Sequence, residues 1–239
     1  MKKAISLILA FVMLICFAAC NSNEDAKFTG GENTTNASEQ TNNEQTETTT
    51  KASINSGDLT IEDVMNANVS PESDFECVDH GNGDVELLRY LGSSEIVVIP
   101  ETWKGKRITT ISSFVFANNS SVKAIRLSDS ITNLMMSSFA MNKSLEIVVC
   151  GKGLTTIGEG AFQECLNLHT VVLNKGLLTI CGVSFGGCKS LTELEIPESV
   201  TEIQPMTFYN RPSNFMIIGK AGSVAEQYAT NEGIAFKAK

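Results

Sequence analysis

Five phenylalanines, Phe116, Phe139, Phe162, Phe185 and Phe208, recur at a fixed step of 23 residues. Other positions move with them. Five residues before each Phe stand Ile111, Leu134, Ile157, Ile180 and Ile203, and nine after stand Ile125, Val148, Val171, Leu194 and Ile217. Six after stand Val122, Leu145, Leu168, Leu191 and, out of pattern, Asn214. This register constrains the fold more than any other feature of the chain. One coil carries a few inward side chains and cannot bury them alone, whereas stacked coils bury them in a continuous column. The expected fold class is therefore a repeat solenoid, mainly β, with coils spaced near the inter-strand distance of about 4.8 Å.

The parts of a coil follow from its local pattern. The stretch "LTELEIP" alternates and predicts a short strand with Leu191, Leu194 and Ile196 inward. "LTTI" and "VTEI" predict a second short extended segment, and "GEGAF" a tight turn that drives Phe into the core. The position three after each Phe holds Asn119, Asn142, Cys165, Cys188 and Arg211. A small polar side chain there can bond a backbone group that the turn leaves unpaired. "FECVDHGNGDVELLRYLG" predicts a hairpin at the N-terminal end, followed by the strand "EIVVIP". At the other end, Ser223 and Glu226 form a capping-box pattern, Tyr228 and Ala229 face the last coil, and Gly233 ends a helix. A cap at each end predicts a monomer rather than a polymer.

"IGEGAFQECLNLHTVVL", Ile157 to Leu173, resembles the repeat of the BspA-like class of bacterial leucine-rich repeats, roughly Ile-Gly-x-x-Ala-Phe-x-x-Cys-x-x-Leu-x-x-Val-x-Ile-Pro. The resemblance covers about residues 75–239. It implies a right-handed leucine-rich-repeat solenoid on a cell surface, used for adhesion or protein binding. The partner it implies is an extracellular protein, of the host matrix or of another bacterial surface.

The rest of the chain fits that setting. "MKKAISLILAFVMLICFAAC" has two lysines and then an apolar run, the pattern of a signal peptide over residues 1–19. Phe17-Ala18-Ala19-Cys20 resembles the lipobox of bacterial lipoproteins, which implies lipid at Cys20 and anchoring to the outer face of a bacterial membrane. Residues 20–72 are rich in Thr, Asn, Ser and Glu with almost nothing to bury, and read as a disordered tether. Within it, Leu59–Ala67 can form a short helix closed by Pro71. The net charge of −9 lies mostly in this segment, and no basic run exists to track a nucleic-acid backbone. The expected organisation is then a leader (1–19), the tether (20–72), an N-terminal cap (73–107), the repeats (108–214) and a C-terminal cap (215–239).

Chemistry is sparse. Gly182-Val183-Ser184-Phe185-Gly186 matches the Gly-x-Ser-x-Gly nucleophile motif. That motif needs a strand before it and a helix after, and Ser184 instead shares a small-residue slot with Val115, Ser138, Ala161 and Thr207. No catalytic residue is assigned. Two histidines and no Cys-x-x-Cys pair give no metal-ligand spacing, so no metal and no cofactor is expected. Cys165 and Cys188 share one slot in adjacent coils; free, buried thiols are preferred over a bridge.

Surface rows carry what remains. Outward strand positions hold Ala124, Ile147, Thr170, Glu193 and Met216, and beside them Arg126, Val149, Val172, Glu195 and Ile218. Arg126, Ile147, Val149, Thr170, Val172, Glu193 and Glu195 are the candidate partner-binding residues, with Ile147, Val149 and Val172 as an apolar patch. The plainer reading is that outward valines only favour strand formation. Thr109, Thr132, Thr155 and Thr201 form a second row, interrupted by Leu178, which reads as ordinary exposed strand residues. Trp103 could stack on a sugar, which keeps glycan binding as the alternative function, or pack over the capping strand.

Overall fold

Each coil is built from two short strands and one turn, and the computed structural model describes residues 59–239. The leader, Cys20 and the tether up to residue 58 lie outside the described residues. Stacked coils form a β-solenoid of about seven turns, about 23 residues each, with a helix at the C-terminal end. It opens with helix α1 (Ile61–Asn66) and a 3-10 turn (Glu72–Asp74). The hairpin β1 (Phe75–Asp79) and β2 (Asp84–Tyr90) follows, antiparallel as the Gly81-Asn82-Gly83 turn predicts.

Three sheets line two sides of the solenoid. One joins β2 in parallel to β5 (Lys106–Ile111), β7 (Asn133–Leu134), β9 (Thr156–Ile157), β11 (Thr179–Ile180) and β13 (Glu202–Ile203). The short β4 (Thr102–Trp103) folds back on β5. On the other side β3 (Ile96–Val98), β6 (Ala124–Arg126), β8 (Ile147–Val149) and β10 (Thr170–Val172) form a parallel ladder, one strand per coil. A separate ladder holds β12 (Glu193–Glu195), β14 (Met216–Gly219) and β15 (Ala235–Ala238). No backbone hydrogen bond joins β10 to β12.

The core is a stack of identical slots. The rings of Phe116, Phe139, Phe162 and Phe185 lie nearly parallel, 5.0 to 5.3 Å from each neighbour in turn. Phe208 follows at 5.6 Å. Tyr90 seals the first ring, while Phe215 and Tyr228 seal the last. Leu191, Leu194 and Ile196 are all buried, as their alternation predicts. The turn that inserts each Phe is fixed by two left-handed residues, one two before it and one two after. The first slot holds Phe114, Ser137, Gly160, Val183 and Met206; the second holds Asn118, Met141, Glu164, Gly187 and Asn210. Between them the amides of Phe116, Phe139, Phe162 and Phe185 each donate to the next coil, Phe162 to Ser184 O at 2.8 Å for example.

The Asn/Cys slot does what its chemistry predicts, in two ways. Asn119 and Asn142 accept from backbone N–H groups two and three residues ahead in their own coil. Cys165 and Cys188 instead donate to carbonyls of the preceding coil, Phe139 O at 3.1 Å and Phe162 O at 3.2 Å. All five cysteines of the described residues are free thiols.

At the C-terminal end α2 (Val224–Glu232) packs Tyr228 and Ala229 inward, and Gly233 closes it at φ 62. Its capping box is shifted by one residue. Ser223 Oγ accepts from Glu226 N, but the Glu226 carboxylate takes Gly222 N. At the N-terminal end Leu59, Val64 and Ser70 are buried, so residues 59–72, assigned above to the tether, pack on the solenoid.

Candidate functional site

Strands β6, β8, β10, β12 and β14 each begin eight residues after their Phe, so their outward side chains align in two rows along the solenoid. These rows divide into a covered half and an open half.

The covered half lies under α1. Thr60 starts the helix with a full capping box: its hydroxyl accepts from Asp63 N, and the Asp63 carboxylate takes Thr60 N at 2.9 Å. The Thr60 hydroxyl first, and its N–H second, hold the Asp63 carboxyl below its ordinary value. Leu59 and Val64 then point at the sheet and bury Ala124, Ile147 and Val149, with Ile96 at the margin. This cluster is separate from the main core. Ile147 is 1% and Val149 8% exposed, so the exposed apolar patch expected at these two residues does not exist. They are apolar because the chain's own segment packs on them. Arg126 is half-buried, and its Nη2 donates to Ala67 O at 2.9 Å. Ser70 N donates to Val98 O and Ser70 Oγ accepts from Val98 N, which closes the edge of β3. Six helical residues fall far short of the roughly 12–15 at which isolated helices become stable. Helix α1 therefore exists only while docked.

The open half begins at β10. Val172 is 38% exposed and Thr170 half-buried, while Glu193 and Glu195 are exposed. Lys239 from the C-terminal cap reaches back to Glu195 with contacts of 2.7 and 2.8 Å. Of the seven candidate residues, the structure leaves Thr170, Val172, Glu193 and Glu195 open and places Arg126, Ile147 and Val149 against α1. The residues that sequence reasoning missed are Leu59, Val64, Ala67 and Ser70. Their signal was two apolar side chains and a capping box at the end of a polar segment.

The other features are settled by what they touch. Ser184 is fully buried and its Oγ has no hydrogen-bond partner, so no base activates it and no substrate reaches it. Trp103 Nε1 donates to Phe75 O at 3.1 Å, its ring packs on the core, and Lys104 Nζ lies 4.1 Å from the ring centroid. That ring offers no free platform for a sugar. The threonine hydroxyls are tied along the axis, Thr132 to Thr109 O and Thr155 to Thr132 O at 3.0 Å each. His169 is exposed with Nδ1 2.8 Å from Thr170 Oγ1, and His80 lies 3.0 Å from Glu86. Among the described residues no three His, Cys, Asp or Glu side chains gather as a metal site would require.

Comparison with known proteins gives the same architecture. A leucine-rich-repeat protein of T. pallidum is 24% identical with a TM-score of 0.60, over 63% of this chain and 71% of that one. One from Bacteroides ovatus ATCC 8483 is 23% identical with a TM-score of 0.53, over 64% of this chain and 40% of that one. At such identities the likeness is one of fold alone. A leucine-rich cell surface protein of Faecalibacterium prausnitzii A2-165 is more distant, 18% identical with a TM-score of 0.37, over 64% of this chain and 55% of that one. No curated protein matches the chain. The repeat described as "BspA type Leucine rich repeat region" matches six copies over residues 94–220. That span is more than half of the chain, and the protein belongs to the family of BspA-type leucine-rich-repeat proteins.

Proposed function

We propose that this is a non-catalytic binding protein of the bacterial cell surface, anchored by lipid at Cys20, that holds an extracellular protein partner against its outward sheet face. The observation that carries the reading is the open half of that face. Val172, an apolar strand residue, stays exposed beside the carboxylates Glu193 and Glu195, whereas the equivalent Val149 is covered. An apolar centre with a charged rim is the common anatomy of a protein interface. Catalysis finds no support, since the one motif that suggested it is sealed in the core at Ser184. Glycan binding is weaker, because the Trp103 ring is packed and capped.

The test is capture from extracellular protein extracts on immobilised residues 59–239. A retained protein that Val172→Glu releases, with the thermal transition unchanged, supports the reading. Retention unaltered by Val172→Glu moves the binding surface off this face.

A further inference from the structure

The face beneath α1 is occupied, and its occupant shows what chemistry it accepts. Leu59 and Val64, five residues apart, fill it with apolar side chains. The segment that carries them folds only as it docks. Its C-terminal end fits less well. Arg126 Nη2 has the Ala67 carbonyl, but Arg126 Nε is buried with no acceptor at all. A guanidinium pairs best with a carboxylate that takes two of its N–H groups in parallel, and a lone carbonyl cannot do this. Beside the helix, a groove of about 370 Å³ continues between Met65, Val69, Val149 and Lys152.

We infer that the face made by Ala124, Ile147 and Val149 is a binding site for a short amphipathic segment of a partner protein, which α1 holds shut in cis. The partner's segment carries two apolar side chains spaced like Leu59 and Val64, and a carboxylate where α1 offers the Ala67 carbonyl. The inference rests on the reading of the outward sheet face as the binding surface. In the free chain α1 wins because it is covalently attached and so present at high effective concentration. A ligand displaces it only through interactions that α1 does not make. The second N–H of Arg126 is such an interaction, and so is the solenoid wall of the groove at Lys152, which stays when Met65 and Val69 leave with α1.

The probe is a fluorescein-labelled synthetic peptide with the sequence of residues 57–71, in its own form and with Ala67→Asp. Binding to the full chain is read by fluorescence anisotropy. The chain with Val64→Asp, which unseats α1 without entering the main core, is expected to bind the first peptide about tenfold more tightly than the unaltered chain. The Ala67→Asp peptide is expected to bind Val64→Asp about tenfold more tightly again, a gain that disappears when Arg126→Ala is added. Adding Val149→Glu to Val64→Asp is expected to abolish binding of both peptides. A thermal transition shared by all variants shows that the solenoid is intact. Equal binding by Val64→Asp and the unaltered chain, or binding that survives Val149→Glu, overturns the inference. The Val172→Glu capture experiment addresses the open half, so the two readings fail separately.

Discussion

At the scale of single residues, the fold asks for two left-handed positions per coil and the sequence supplies glycine at only one copy of each, Gly160 and Gly187. The remaining copies are strained to different degrees. Asn118 and Asn210 tolerate the conformation. Val183, at φ 61, is β-branched and is the least suited of the set. The left-handed conformation costs an L-residue about 1–2 kcal/mol, and glycine returns part of that through its unfolded-state entropy. Val183→Gly is expected to stabilise the protein by about 0.5–1 kcal/mol, a rise in Tm of about 2 °C for a domain of this size. Calorimetry decides it. A fall in Tm would mean that packing of Val183 over Gly186 outweighs the backbone strain.

At the scale of elements, the solenoid has one seam. Thr170 N donates to Glu146 O at 3.2 Å and Met216 N to Thr192 O at 2.9 Å, so each links its strand to the coil before it. The equivalent bond from Glu193 N to His169 O is missing, and the outward sheet breaks between β10 and β12. The opposite sheet and the phenylalanine stack run past this point unbroken. The break is thus local to the face and does not divide the core. Amide exchange tests it residue by residue. Glu193 N–H is expected to exchange faster than the equivalent amides of Ile147, Thr170 and Met216, because it alone lacks a partner. Equal protection at all four positions would show the ladder to be continuous.

At the scale of the whole molecule, the repeat was legible because each slot meets its own copy one coil away. A fixed step of 23 residues therefore states both the contact and its register. The ring stack, the inward leucines and both caps follow from that step and from local turn and capping patterns. The candidate site was only half legible. Whether Val149 is a surface residue depends on Val64, which lies outside the repeat and has no counterpart in other coils. Outward valines under a docked helix and outward valines in solvent look the same in the sequence, and only the non-local contact separates them.

The same stacking that makes the fold legible also sets its response to alkali. Burial pushes the Cys150 and Cys165 thiols up to about 12 and raises Cys188 well above its ordinary value. An unfolded thiol releases its proton above about pH 8.5, whereas these three keep theirs. Below that pH both states are neutral and the thiols contribute no pH dependence. Above it the unfolded chain binds fewer protons than the folded one, so stability falls as pH rises, by about 1.4 kcal/mol per pH unit for each fully buried thiol. Cys165→Asn separates this effect from other alkaline changes, because Asn142 fills the same slot one coil earlier and keeps the turn bonded. The midpoint of urea unfolding, followed from pH 8 to 11, is expected to fall steeply in the unaltered chain and less steeply in Cys165→Asn. Parallel slopes would mean that Cys165 ionises in the folded column as easily as it does outside it.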